Sequence, residues 1–145
     1  MTTFESEQVD IPRNIKLIFD FLSDFNNFKS LMPPQVSEWE SDSEHCSFNI
    51  QNMATLGMRY EQKNQYSHIA IVSEGKSPFN FNLQCFLNPL GDNKTDLRLQ
   101  LNADLNMMLK MIASKPLANF VNILANKIKE VCETQLPENG EHNLL

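Results

Sequence analysis

Side chains that could do acid–base or metal chemistry are few and scattered in this sequence. The three histidines are His45, His68 and His142, and no two of them have metal-ligand spacing on one element. His45 and His68 alternate with apolar residues of the opposite phase, so we expect both to face the solvent. His142 lies near the C-terminus. The pattern predicts no catalytic histidine, no metal site and no cofactor.

The three cysteines also argue against chemistry. Cys46, Cys85 and Cys132 are far apart, with no Cys-x-x-Cys pair and no neighbouring histidine. An odd, scattered set is typical of reduced thiols and indicates a cytoplasmic protein rather than a disulfide framework or a zinc site. Cys85 points inward in a predicted strand without a visible base, and we interpret it as a small buried hydrophobe.

Tyr60, Tyr66 and Arg59 are the polar groups that could reach an otherwise apolar interior. Their phase is left open because the strand around Gly57 can bulge. Gly57 has no following lysine, and four glycines in the chain do not make a phosphate-binding loop. Tyr60 or Arg59 beside a carboxylate in an enclosed cavity would favour an enzyme of the cyclase or dehydratase kind.

Length and composition predict one globular domain, residues 1–136, and a flexible tail, residues 137–145. The chain has 145 residues, 41% of them apolar, and a net charge of −6. The acidic balance disfavours nucleic acid and anionic membrane surfaces as partners. No apolar run reaches ~18 residues, so we expect no stable membrane insertion.

The predicted elements begin with a strand over "TFESEQVDIP" and a helix capped by Asn14, whose apolar stripe includes Ile18 and Leu22. A second short helix is predicted over "DFNNFKSLM", ended by Pro33-Pro34. From Val36 to Ala103 the period is two, which predicts six strands in a meander. Trp39 alternates with glutamates, so we expect it to face inward as a core residue.

Two strands and the last helix have the clearest patterns. The inward residues of the strands are predicted to be Phe79, Phe81, Leu83, Cys85 and Leu87, then Leu97, Leu99, Leu101, Ala103 and Leu105. The helix is predicted to cover them with Leu117, Phe120, Val121, Leu124, Ile128, Val131 and Cys132. The fold class is therefore α+β: a curved antiparallel sheet of about seven strands wrapped around a long C-terminal helix, with two short helices after the first strand.

The run "VDIPRNIKLIFDFLSDFNNFKSLMPPQVSEW" resembles the opening of the START-like helix-grip superfamily, also called SRPBCC or polyketide cyclase-like proteins. The shared features are Ile11-Pro12, Leu22-Ser23-Asp24 and Met32-Pro33, and the resemblance extends over residues 3–134. It implies a fold that holds lipids, sterols or polyketides between sheet and helix. Members include enzymes, carriers and co-chaperones, and no catalytic motif of the superfamily matches here.

The methionines Met107, Met108 and Met111 stand where the strand pattern changes to a helical one, and Met53 and Met58 lie in the meander. Methionine fills irregular gaps and also makes adaptable cavity walls, and we favour gap filling slightly. Pro116 follows in the same segment. It predicts either a kink near Ser114-Lys115 or a new helix that begins there with Ser114 as its N-cap.

The main hypothesis is non-catalytic binding of a small hydrophobic or amphipathic ligand, lipid-like or polyketide-like. The alternatives are a cyclase or dehydratase enzyme and a co-chaperone-like module that binds a protein. The ligand would occupy a pocket of roughly 300–1,000 Å³ between sheet and helix. Its predicted walls are Met58, Tyr60, Phe79, Phe81, Leu99, Leu101, Met107, Met108 and Met111.

Overall fold

A computed structural model describes residues 1–50 and 54–138 of the chain. The predicted tail, residues 137–145, and Met53 therefore lie wholly or mostly outside the described residues, and the domain boundaries stay a prediction. The strands are β1 (Thr2–Glu5), β2 (Val9–Ile11), β3 (Val36–Ser41), β4 (His45–Ile50), β5 (Ala54–Asn64), β6 (His68–Glu74), β7 (Phe81–Gly91) and β8 (Lys94–Ala103). The helices are α1 (Ile15–Leu22) and α2 (Met107–Gln135).

The strands form one antiparallel sheet in the order β1-β8-β7-β6-β5-β4-β3, and β2 also pairs with β8. The single first strand that we predicted is interrupted. Glu5 lies opposite Gln100 but Val9 lies opposite Leu97, so the first segment has one residue more than β8 in this interval. Ser6 fills the break, because its N–H donates to the Leu99 carbonyl and its hydroxyl accepts from the Leu99 N–H, both at 2.9 Å.

The short helices after the first strands differ partly from prediction. Asn14 caps α1 as expected, since its side-chain oxygen accepts from the N–H of Lys16 at 2.9 Å. The second predicted helix consists instead of two 3₁₀ turns, Phe25–Asn27 and Lys29–Leu31. The reason is a spacing of three between the buried residues Phe25, Phe28 and Leu31, because three residues make one 3₁₀ turn.

The core lies between the inner face of the sheet and α2. The apolar stripe predicted for this helix is buried in full, and so are Phe81, Leu83, Leu99 and Leu101, which confirms these predictions. The helix packs on β1, β2 and β8 and on the second 3₁₀ turn. Among residues 1–50 and 54–138, no helix combines the length and the apolar character that a membrane span requires.

A buried arginine holds the C-terminal end of α2. Arg13 is 7% exposed, and its Nε donates to the carbonyl of Leu136 at 2.9 Å. Its guanidinium also donates to the carbonyls of Glu133 and Pro12. The carbonyls of Glu133 and Leu136 lie at the negative end of the helix dipole, so the positive charge stabilises this end and fastens it to the start of α1.

The prediction that a new helix begins at Ser114 is wrong. α2 begins at Met107, where the side chain of Asn106 accepts from the N–H of Leu109 at 2.9 Å, and it continues through Pro116. Ser114 is not an N-cap, because its hydroxyl donates to the carbonyl of Lys110 within the helix. Pro116 has no N–H to donate to the carbonyl of Ile112, four residues earlier in the helix. The helix tolerates this because Ile112 is 59% exposed, so water can reach the carbonyl. A kink at this position stays a prediction.

A bulge in β3 turns Trp39 toward the interior. Ser37 lies opposite Asn49 and Glu40 opposite Ser47, so β3 has one extra residue between them. Glu38 takes up the irregularity with a φ of 54°, a value that non-glycine residues rarely adopt. The Trp39 ring stacks on Phe48 at 5.5 Å and near Phe28 at 6.4 Å between centroids. Trp39 therefore contributes to the core, as predicted.

Candidate ligand-binding site

An apolar groove lies where the first three turns of α2 pass the ends of the sheet. Its volume is about 240 Å³. Ile112 lines it and is 59% exposed, so the groove reaches the surface. Gln35 is the one polar residue among those that line it, which are Gln35, Ile50, Ala54, Leu56, Pro78, Phe79, Leu109, Ile112, Ala113, Pro116 and Leu117.

A smaller cavity continues the groove into the core. It has a volume of about 30 Å³, and all of its lining residues are apolar. Ile50, Leu56, Phe79 and Leu117 line both spaces, so these side chains lie between the groove and the interior. A third void of about 10 Å³, near Leu22 and Cys85, is no larger than one water molecule.

The interior space is thus smaller than the pocket of roughly 300–1,000 Å³ that we predicted. Phenylalanine rings account for the difference. Phe28, Phe48, Phe81 and Phe120 all line the inner cavity and are buried around it. Because rings of this size fill most of the gap between sheet and helix, the larger open space lies at the edge of the core, in the groove.

The predicted site residues fall into three groups. Met58, Phe81 and Leu101 line the inner cavity, and Phe79 lines both the cavity and the groove. Leu99 lines only the smallest void. Tyr60, Met107, Met108 and Met111 line none of these three spaces. Whether any of these residues contacts a ligand stays a prediction.

The three methionines of α2 are on the outside of the molecule. Met107, Met108 and Met111 are 81%, 71% and 82% exposed. They do not fill gaps in the core, so the gap-filling interpretation is wrong. They line none of the three spaces described above, and their contact with a ligand stays a prediction. The physical reason for their exposure is the helix face on which they lie: Leu109 and Ala113 of the same turns line the groove, and at about 100° per residue Met107 and Met111 lie near the opposite side of α2.

Tyr60 connects β5 to the end of α1 and to the first 3₁₀ turn. Its hydroxyl donates to the carbonyl of Leu22 at the end of α1, and its ring stacks on Phe25 at 4.1 Å between centroids. Burial raises the pKa of Tyr60 well above its ordinary value, so the phenol stays protonated. Arg59, on the opposite face of β5, is exposed. Neither Tyr60 nor Arg59 lines the inner cavity or the groove.

The remaining titratable candidates lie away from the groove. His45 is exposed and contacts the carboxylate of Glu74 at 2.8 Å, a hydrogen bond that raises the pKa of His45. His68 bonds Gln84 and stacks on Phe86 on the outer face of the sheet. No group of three or more potential metal ligands occurs among residues 1–50 and 54–138.

The cysteines are buried thiols in the described structure. Cys46, Cys85 and Cys132 are all free, and burial raises the pKa of each to about 12. A thiol that stays protonated at neutral pH is a poor nucleophile. Cys85 lines only the smallest void, so it does not face the groove.

The groove residues that the sequence analysis missed come from four separate parts of the chain. Ile50 ends β4 and Leu56 lies near the start of β5, and the apolar alternation of these paired strands was a signal that both residues face inward. Pro78 and Gln35 lie outside regular elements, where no periodic pattern marks them. Leu109 and Ala113 lie one helical turn apart on α2, and that spacing was visible in the sequence.

No family model and no curated protein matches the chain. Solved structures do match its fold. The protein TTHA0849 from Thermus thermophilus has a TM-score of 0.76 at 14% identity, over 94% of this chain and 100% of that one. A START superfamily protein from Mycobacterium smegmatis has a TM-score of 0.68 at 14% identity, over 91% and 97%.

An enzyme has the same architecture. Norcoclaurine synthase from Thalictrum flavum, in complex with dopamine and hydroxybenzaldehyde, has a TM-score of 0.69 at 9% identity, over 94% of this chain and 88% of that one. Identities this low compare backbone architecture and not site chemistry. The chain therefore has the START-like helix-grip fold.

Proposed function

We propose that the protein binds a small hydrophobic or amphipathic molecule in the groove beside α2 and does not transform it. The observation that carries this proposal is the groove itself, a surface opening of about 240 Å³ in which Gln35 is the one polar residue among the described residues that line it. Ligand sites are typically concave and mostly apolar, with few polar groups that orient the ligand. The groove fits that description on a small scale.

The size and shape of the groove favour an amphipathic ligand. Its volume is below the usual lower limit of about 300 Å³ for ligand pockets, and it opens to the surface beside Ile112. A ligand of ordinary size would therefore place its apolar part in the groove and keep the rest in water. The side chain of Gln35 offers one hydrogen-bonding group at this position.

The residues that line the groove and the inner cavity support binding without catalysis. Among the described residues, those that line the groove and the inner cavity include no acid, base or nucleophile. A cyclase or dehydratase needs at least one positioned proton donor or acceptor. The three free, buried cysteines fit a reducing compartment, so we also propose a cytoplasmic location.

The outer face of the sheet supports the co-chaperone alternative less well. Its amide side chains bond mainly to one another: Asn102 donates to Asn82 at 2.8 Å, and Gln84 donates to Asn82 at 2.9 Å. Gln100 donates to Glu5 at 3.0 Å. Groups that are already paired gain little from a new partner.

Titration with the neutral fluorescent probe N-phenyl-1-naphthylamine tests the proposal. We expect saturable binding to the native protein, and a strong loss of binding in the variant Ala113→Trp, whose indole would fill the groove. Ala118→Trp is the matched control, because Ala118 is also partly buried on α2 but lines none of the three spaces.

Native mass spectrometry of the purified protein is the complementary measurement, because a retained molecule would identify the ligand class directly. Equal probe binding by Ala113→Trp and Ala118→Trp, or no saturable binding by the wild type, would contradict the proposal.

A further inference from the structure

A cluster of exposed apolar side chains adjoins the groove on α2. Met107, Met108, Met111 and Ile112 are 81%, 71%, 82% and 59% exposed. We call these four residues the methionine patch. Residues four apart on a helix are neighbours, so Met107 and Met111 form one row and Met108 and Ile112 form the next. The patch is thus a continuous apolar surface two turns long, and surfaces of this kind mark interaction sites.

The charges around the methionine patch are basic, although the chain as a whole is acidic. Lys110 and Lys115 are exposed in the same turns of the helix. From Leu105 to Asn126 the sequence has two lysines, Lys110 and Lys115, and no carboxylate. Asp104, two residues before the helix cap, is the acidic group nearest in sequence. The net charge of −6 therefore conceals a local positive region at this end of α2.

We propose that the methionine patch docks on the surface of a lipid bilayer that contains anionic lipids. Methionine and isoleucine side chains can enter the boundary between headgroups and acyl chains, while the flanking lysines contact the anionic headgroups. The long stems of Lys110 and Lys115 allow their ammonium groups to stay in the headgroup layer. This proposal departs from our expectation, based on net charge, that anionic membranes are disfavoured.

Docking in this orientation would place the groove beside the contact with the bilayer, at the edge of the patch that Ile112 forms. Ile112 belongs to the methionine patch and also lines the groove. Pro78 lines the groove as well, and the exposed Lys76 lies two residues before it, which adds a third positive charge at the rim. The inference does not rest on the proposed function, because the patch and its lysines could hold the protein on a membrane whether or not the groove binds a ligand.

A second copy of the chain matches the patch less well than a bilayer does. Two copies that met through this surface about a two-fold axis would bring their Lys110 and Lys115 side chains together, and nearby carboxylates to neutralise them are scarce. An anionic bilayer neutralises the same lysines and also accepts the apolar side chains. Charge complementarity therefore favours the bilayer.

Co-sedimentation with vesicles tests the proposal. The probes are vesicles of phosphatidylcholine and phosphatidylserine in equal amounts, with vesicles of phosphatidylcholine alone as the comparison. One variant carries Met107→Gln, Met108→Gln and Met111→Gln, which keep side-chain length and helix propensity. A second carries Lys110→Gln and Lys115→Gln. Its matched control carries Lys94→Gln and Lys127→Gln, which change the net charge equally but lie elsewhere.

We expect the wild type to bind the mixed vesicles on the order of tenfold more strongly than pure phosphatidylcholine. The triple methionine variant and the Lys110/Lys115 variant should each lose on the order of tenfold, and the control variant should lose little. Circular dichroism and N-phenyl-1-naphthylamine binding would verify that the triple variant is folded and keeps its groove.

Three outcomes would overturn the proposal. The first is wild-type protein that does not bind the mixed vesicles, or a triple variant that binds them equally well. The second is an equal loss in the control variant, which would assign binding to overall charge. The third is a wild-type dimer in sedimentation velocity that the triple variant abolishes, which would assign the patch to a second copy of the chain. Failure of the groove proposal would appear separately, in probe binding without vesicles.

Discussion

The two halves of α2 differ sharply in what surrounds them. In the first half, residues 107–116, no side chain is buried, and three methionines and an isoleucine are largely in water. In the second half, eight residues are buried: Leu117, Phe120, Val121, Leu124, Ala125, Ile128, Val131 and Cys132. Both halves are rich in apolar side chains, so composition alone does not explain the contrast.

The contrast depends on where the strands end. The second half lies over β1, β2 and β8, which supply the inner face that its apolar stripe covers. The first half follows the end of β8 at Ala103 and passes the mouth of the groove. One continuous helix is thus a core element at one end and an exposed apolar surface at the other.

The largest expected difference between the halves is in stability. Leu124→Ala should lower the free energy of unfolding by about 2–5 kcal/mol, because it leaves a cavity in the core. Met108→Ala should change it by less than about 0.5 kcal/mol, because this side chain is exposed. Urea titration followed by circular dichroism measures both. Equal losses in the two variants would mean that the first half is packed against something and that the comparison is wrong.

The pH dependence of the free energy of unfolding should also differ between the halves, with a smaller effect per pH unit. Burial raises the pKa of Cys132 to about 12, while an unfolded chain releases thiol protons near the ordinary cysteine value of 9.0. Between these values the folded state holds a proton that the unfolded state has lost, so stability falls as pH rises. At or below neutral pH the thiol is protonated in both states and has no such effect.

The expected slope from Cys132 is at most about 1.4 kcal/mol per pH unit. Cys132→Ala should therefore lose less stability than the wild type between pH 9.0 and about 12. Met108→Cys is the control in the first half, because an exposed thiol titrates alike in both states and adds no slope. Urea titrations across this range provide the measurement, and parallel curves for the wild type and Cys132→Ala would contradict the burial of this thiol.

The smallest expected effect concerns the boundary between the halves. Pro116 cannot donate an N–H to the helix, so Pro116→Ala should raise the free energy of unfolding by about 1 kcal/mol or more. Pro78→Ala is the matched control, since Pro78 also lines the groove but lies outside any helix, and it should give no such gain. Thermal and urea unfolding of both variants would test this. A destabilised Pro116→Ala protein would mean that the proline ring itself holds the two halves together.

Periodic patterns predicted the second half of α2 well. The stripe from Leu117 to Cys132 is buried as expected. A regular apolar repeat identifies the buried face of a helix wherever one surface covers that face along its length. The alternation of Phe81, Leu83, Leu99 and Leu101 likewise identified the inner face of the sheet. The fold followed from these two patterns together with the resemblance at the N-terminal end.

The site was harder to predict because it depends on where elements stop. Nothing in the spacing of Met107, Met108 and Met111 says which side of the first turns of α2 faces the sheet and which faces water. The bond from Tyr60 to the carbonyl of Leu22 joins residues 38 positions apart, and no local pattern encodes it. The groove combines residues from two loops, two strand ends and a helix, whereas sequence periodicity describes one element at a time.

The contact between Arg13 and the end of α2 has a consequence for how the protein responds to its surroundings. Its acceptors are the backbone carbonyls of Pro12, Glu133 and Leu136 rather than a carboxylate. A guanidinium keeps its proton under physiological conditions, and a carbonyl has none to lose. Acidification, which weakens ion pairs with aspartate or glutamate, leaves this attachment unchanged. The far end of the helix thus remains anchored through changes of acidity, whatever happens at the end that carries the methionine patch.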